Sequence, residues 1–323
     1  MMTASHSHIT SIGMLLVYLL ACAPIVQADD DQPSFATLMQ SANDGNAEAQ
    51  FKVGQMFELS KALPTAISWY VKAAEQKYEP AATQLFTIYG SGAGVTQDLA
   101  ESVKWARVSA GLGNNLCQFV LGVAYLEGTG VEKDPAQAAI WFKRAADGGR
   151  VEAQIALANL YASGTGVSRN QAEAEKLYLK AYSMGSVEAA HCLGEMYLTG
   201  PVADKAKAIE WLHKAADHGF LVAQNSLYGV FDSYSDSALK SAADAGDKEA
   251  AFVLGRRLMK GDPAAALRIF LASANEGPAL LQFTLGLMYL NGLGIAPNPA
   301  EGMGWIRMAR DQGFEPAKQM VGP

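Results

Sequence analysis

The chain has 323 residues, 50% hydrophobic and 18% charged, with a net charge of −7 and a pI near 5.3. An apolar share of that size excludes an intrinsically disordered chain, and the acidic balance argues against a nucleic-acid partner, because neutralising phosphates needs a surplus of Lys and Arg. Three cysteines in this length exclude a disulfide-stapled mini-protein.

The first element is a targeting segment. Residues 1–28 contain no Asp, Glu, Lys or Arg. Ile12–Val26 is an almost continuous apolar run, shorter than the roughly 20 residues of a membrane span. Small residues at Val26 and Ala28 before the acidic Asp29-Asp30-Asp31 read as a signal-peptidase site, which makes 1–28 a signal peptide. Two alternatives stay open: Leu19-Leu20-Ala21-Cys22 resembles a lipobox with Cys22 as the lipidated residue, or the run is an uncleaved anchor. All three place the bulk of the chain outside the cytoplasm, periplasmic or secreted, with membrane association only through Cys22 or a retained N-terminal segment. Residues 29–46 are read as an N-terminal capping segment.

From residue 47 to 320 the chain repeats itself about eight times. The pattern A-x-x-x-L-G-x-x-Y returns with a period near 36 at Gly122, Ala158 and Gly194, each followed three residues later by Tyr125, Tyr161 or Tyr197. Gly54, Phe86, Tyr228, Gly255 and Gly286 fill the same slot with looser spacing. All five tryptophans (Trp69, Trp105, Trp141, Trp211 and Trp305) stand eight residues before a repeat end, at Lys77, Gly113, Gly149, Gly219 and Gly313.

Each unit reads as two helices. Ala153, Leu157, Ala158 and Tyr161 share a helical stripe in a first helix. That helix ends in a Gly-x-Gly link such as Gly128-Thr129-Gly130-Val131, where glycine supports positive φ. Asp134-Pro135 and Asn298-Pro299 then start second helices. One hairpin cannot bury its apolar face alone, so the units must stack. Departures occur in the first copy (Leu59-Ser60-Lys61-Ala62), the fifth (Gly200-Pro201), and copies six and seven, about 220–277, which are degenerate. There Phe231–Asp236 replaces the usual link and predicts a bend or local disorder.

These residues resemble the Sel-one-like repeat family, solenoids related to tetratricopeptide repeats. The resemblance implies an all-α fold, a right-handed α-solenoid of stacked helix-turn-helix repeats, acting as an adaptor for other macromolecules. First helices line the concave face in related solenoids. The stripe three, six and ten residues after each leading small residue would floor that groove. Its candidate binding residues are Gln55, Gln84, Thr87, Val123, Glu127, Asn159, Ser163, Glu195, Thr199 and Arg256, with Val120 and Val253 at its leading positions. Small residues of mixed polarity suit an extended peptide or a partner helix, and an ordinary solvated face is the reading that stands beside it. Gln50, Gln118, Gln154, Gln224 and Gln282 share another register, whose repetition points to a role linking adjacent copies.

Sites of chemistry are not evident. No glycine link continues as Gly-Lys-Ser/Thr after a strand, so phosphate-binding contexts are missing. His213 and His218, five residues apart, read as surface histidines near a helix end with no third ligand, and no metal set or cofactor is assigned. Cys117 and Cys192 lie two copies apart and are expected to be free thiols. Ser237-Ala238-Leu239-Lys240 matches Ser-x-x-Lys but lacks the partner motifs of penicillin-recognising enzymes. The leading expectation is a non-catalytic extracytoplasmic scaffold that binds envelope proteins in assembly or signalling. The alternatives are a secreted weak hydrolase of cell-wall or β-lactam type and an accessory protein of envelope polysaccharide export.

Overall fold

The computed structural model describes residues 34–200, 203–275 and 277–322, so the candidate signal segment and Cys22 lie outside the described residues. Among these residues there are eighteen helices and no strand. A leading helix α1 (Phe35–Asn43) is followed by eight helix pairs and a short closing helix. The pairs are α2 (Ala47–Leu59) with α3 (Leu63–Glu75), α4 (Glu79–Ser91) with α5 (Leu99–Gly111), and α6 (Asn115–Glu127) with α7 (Pro135–Asp147). Next come α8 (Val151–Ser163) with α9 (Gln171–Ser183), α10 (Val187–Thr199) with α11 (Lys205–Ala216), and α12 (Leu221–Phe231) with α13 (Asp236–Asp244). The last are α14 (Lys248–Leu258) with α15 (Pro263–Ser273), and α16 (Ala279–Asn291) with α17 (Pro299–Asp311), before α18 (Glu315–Val321). The chain packs as two units, one ending at Ala189 and the other starting at Ala190, inside α10.

Local chemistry sets the helix boundaries. Second helices start behind an Asp or Asn whose side chain accepts a backbone N–H of the first turn: Asp98 from Glu101, Asp134 from Gln137, Asn170 from Glu173, Asp262 from Ala265. The same cap residue ties the link to the first helix. The N–H groups of Asp98, Asp134, Asn170 and Asn298 donate to the carbonyls of Tyr89, Tyr125, Tyr161 and Tyr289 at 2.8–2.9 Å. The aromatic slot of the repeat therefore also anchors the turn. The second glycine of the link is held by close approach: Gly130 has φ +69°, and a Cβ there would meet the Leu99 carbonyl oxygen at 2.2 Å.

Within the first unit the pairs interlock by size. A Cβ on Gly54 would stand 2.6 Å from the ring of Tyr70, and one on Gly122 would stand 2.4 Å from Phe142. In each pair the large residue follows the repeat's tryptophan directly. In the second pair the sizes are exchanged: Phe86 takes the glycine slot and Ala106 follows Trp105, both fully buried in one core cluster. Burying one such aromatic contributes about 1.5–3 kcal/mol, more than an exposed ion pair. The tryptophans are mostly buried, with a cation over the remaining face: Lys72 at 4.1 Å from Trp69 and Arg144 at 4.6 Å from Trp141. Each such cap contributes about 0.5–1 kcal/mol.

The second unit repeats this logic with Gly194 on Leu212, Gly255 on Phe270 and Gly286 on Ile306, and with Lys214 at 3.8 Å over Trp211. Its middle is shorter. The helices α12 to α15 have 9–11 residues where most others have 13. The expected bend or disorder at Phe231–Asp236 is a compact turn instead. Arg257 on α14 donates to the carbonyls of Tyr234 (2.9 Å) and Asp232 (2.8 Å) and to the Asp236 carboxylate (2.7 Å). One guanidinium thus ties two carbonyls and a carboxylate of the turn together.

Candidate interaction surface

Most of the candidate stripe is engaged within the protein. In the first unit Gln84 Nε2 donates to both carboxylate oxygens of Glu58 at 3.0 and 2.9 Å, and Tyr70 donates its hydroxyl to Glu58 Oε2 at 2.5 Å. Burial and then the Glu58 contact push the Tyr70 phenol well above the ordinary tyrosine range. Gln55 is half-buried. Thr87 turns its hydroxyl back to the Thr83 carbonyl. Val123 packs against the core cluster of α7 and α8. Tyr178 donates to Asn159 Oδ1, and Ser163 donates to the Asn159 carbonyl at 2.8 Å. Glu127, Asn159 and Ser163 nevertheless keep exposed side chains.

In the second unit Glu195 accepts from Ser226 at 2.5 Å and faces His191 Nε2 at 3.6 Å. Thr199 is exposed, and Arg256 is exposed but paired with Asp232 at 2.6 Å. Two positions leave the stripe altogether: Val120 and Val253 are buried. The partners Glu58, Tyr178, Ser226 and Asp232 were not read from the sequence. They stand 19 to 31 residues away, and only the repeat offset itself would have paired them.

The glutamine register is a bracing device. Gln50, Gln118 and Gln282 each donate to the carbonyl eight residues back, Ala42, Ala110 and Ala274, at 2.9–3.1 Å. Each adds a second donor to a carbonyl at the end of the preceding helix, which also accepts the N–H three residues on. Gln76 and Gln312 in turn donate to Gln50 and Gln282 at 2.8 and 2.9 Å, each joining the two helices of one copy. Gln154 departs from the pattern and donates to Met184 Sδ. Cys117 is buried and Cys192 half-buried, both as thiols outside any disulfide.

The Ser-x-x-Lys match is not assembled as a nucleophile and base. Ser237 Oγ lies 3.0 Å from Ser235 Oγ, and Lys240 Nζ is held by both oxygens of Asp244 at 3.0 and 2.9 Å.

The histidines require a correction. His218 is exposed at the end of α11, with Nδ1 donating to the Lys214 carbonyl. His213 is not a surface histidine: it is half-buried, and Nε2 donates to Asp247 Oδ2 at 3.1 Å while Nδ1 lies 3.4 Å from Glu249 Oε2. Burial would lower its pKa. The Asp247 hydrogen bond and the charges of Glu249, Asp247 and Asp217 outweigh burial, and the net shift is upward. Both carboxylates come from the start of α14, two copies on, which no spacing rule in one helix would reveal.

The repeat geometry agrees with the comparisons. The family model described as Sel1 repeat matches residues 47–78, 80–114, 115–149, 151–186, 187–220 and 279–314. The unmatched stretch between 220 and 279 is the one with the shortened helices. The chain is similar to the crystal structure of a protective antigen present in uropathogenic Escherichia coli strains, which displays an SLR fold. Identity is 32% over 89% of this chain and 66% of that one, with a TM-score of 0.53, so the chain spans just under two thirds of that antigen's length. It is also similar to a Sel1 repeat protein from Oxalobacter formigenes, 26% identical over 97% of this chain and 99% of that one, with a TM-score of 0.55. No curated protein matches the chain. Sel1 repeat proteins are generally protein-interaction scaffolds. The chain is an all-α solenoid and belongs to the Sel1 repeat family.

Proposed function

We propose that this protein is an exported, non-catalytic scaffold that binds protein partners of the cell envelope along the face of its first helices, in assembly or signalling. The observation that carries this reading is the outward remainder of the stripe. Glu127, Asn159 and Ser163 in one unit and Thr199 in the other are exposed polar side chains at recurring positions on first helices. Small and mixed in polarity, they leave backbone-sized space that an extended segment or a helix can fill.

Export rests on the charge-free apolar segment before Ala28. The similarity to an antigen of uropathogenic Escherichia coli supports an envelope setting. Intact mass of the chain recovered from the envelope tests this part: cleavage after Ala28 gives an unmodified product, whereas a mass increase abolished by Cys22→Ser gives a lipoprotein. Recovery of full-length chain in the cytosol would contradict export. The binding part is tested by Glu127→Arg with Ser163→Arg, two exposed positions, which fills the stripe without touching the core. Loss of partner binding with unchanged helicity is expected, and undiminished binding would contradict the assignment.

A further inference from the structure

Copy six has the shortest second helix, nine residues from Asp236 to Asp244. Beside it, His213 near the end of α11 meets the first turn of α14, 34 residues further along the chain. We propose that His213, Asp247 and Glu249 form a binding site for a first-row divalent cation, with Zn²⁺ the best match to one imidazole and two carboxylates.

One donor atom from each of the three residues lies within 4.8 Å of the other two; Asp247 faces Nε2 and Glu249 faces Nδ1, so an ion on one ring nitrogen draws the second carboxylate over by a rotamer change. Each is fixed by its own surroundings. Asp247 caps α14 through Oδ1, which accepts the Ala250 N–H at 2.8 Å, and this leaves Oδ2 directed at His213. Glu249 is only 5% exposed and is hydrogen-bonded by Gln224, a support of the kind that orients a metal-bound carboxylate. His213 is held against Phe231, with ring centroids 6.4 Å apart. The buried Tyr228 hydroxyl, which feels the charge of Glu249, has no hydrogen-bond partner among the described residues. An open depression of about 520 Å³ adjoins the cluster and has room for the water ligands of a three-residue site. Along that depression Asp217, Asp247 and Glu249 face one lysine, Lys248, so negative charge is in excess when the imidazole is neutral. A bound ion replaces the proton on Nε2, and that proton leaves to solvent.

The test is equilibrium dialysis of the full chain against Zn²⁺ alone, with a thermal melt of each sample. The expected result is one saturable ion per chain and a rise in Tm with Zn²⁺. His213→Ala and Glu249→Gln weaken binding roughly tenfold or more, as loss of a ligand does. Asp247→Asn serves as the variant that keeps its helix cap, since Asn caps as well as Asp, and it also loses the ion while retaining wild-type helicity. His218→Ala retains it. Absence of saturable Zn²⁺ binding, or binding that persists in Asp247→Asn and His213→Ala, would overturn the assignment by placing any bound ion elsewhere.

Discussion

Gly122 on α6 lies under the ring of Phe142 on α7, so close that a methyl group on the glycine would stand 2.4 Å from the aromatic carbons. The contact joins the two registers that organise the chain, because Gly122 is the repeat's small-residue slot and Phe142 follows the repeat's tryptophan. It predicts that Gly122→Ala destabilises the protein by roughly 1–3 kcal/mol through overpacking, despite alanine's better helix propensity. Gly304 is a control within a helix: a Cβ there meets nothing within 4 Å. Gly304→Ala is expected to stabilise by up to about 1 kcal/mol. Urea unfolding of the two variants reads the opposite signs directly.

Lys77 ends the first repeat with φ +64°, where the corresponding residues of later copies, such as Gly113 and Gly149, are glycines. An L-residue with a side chain loses roughly 1–2 kcal/mol in that conformation, and a new glycine gives back part of this through the unfolded chain's entropy. The Lys77 side chain is exposed, so removing it costs little packing. Lys77→Gly is therefore expected to raise stability by roughly 0.5–1 kcal/mol. A fall in the urea midpoint would show that Lys77 makes a contact worth more than its strain.

Much of the fold is visible in the sequence because its determinants recur. The five tryptophans, the glycine slots and the Asp- or Asn-led second helices each repeat often enough to separate from chance, and each marks a contact inside one helix pair. What the sequence does not show are contacts whose partners come from another copy in a different register. Glu58 with Gln84, and Ser226 with Glu195, depend on the stacking offset. His213 with Asp247 and Glu249 depends on the shortening of one repeat, an irregularity that periodic reasoning averages away. Of the groove stripe, Asn159 and Glu127 stand exposed on their helices, whereas Val120 and Val253 are buried.

His191 on α10 is half-buried beside Phe220, with ring centroids 5.3 Å apart. Burial lowers its pKa below the ordinary histidine value, and Glu195 offsets this only in part. Folding therefore favours the neutral ring. Its contribution is complete above the unfolded-state value of about 6.5, and is lost as pH falls through the lower folded-state value. The expected result is an NMR titration of the His191 ring with a midpoint below that of a model peptide, and a stability decline on acidification that His191→Gln reduces. A midpoint above that of the free peptide would show that Glu195 dominates.

The central claim is that first helices present the partner-binding face. Photo-crosslinking in the living cell tests it most directly, with a photoreactive phenylalanine analogue at Asn159 or Glu127 on first helices and at exposed Lys143 on a second helix. The account predicts discrete protein adducts from Asn159 and Glu127 that excess wild-type chain competes away, that the Glu127→Arg, Ser163→Arg variant does not compete away, and that Lys143 does not form. Equal adducts from Lys143, or none from either first-helix position, would contradict it.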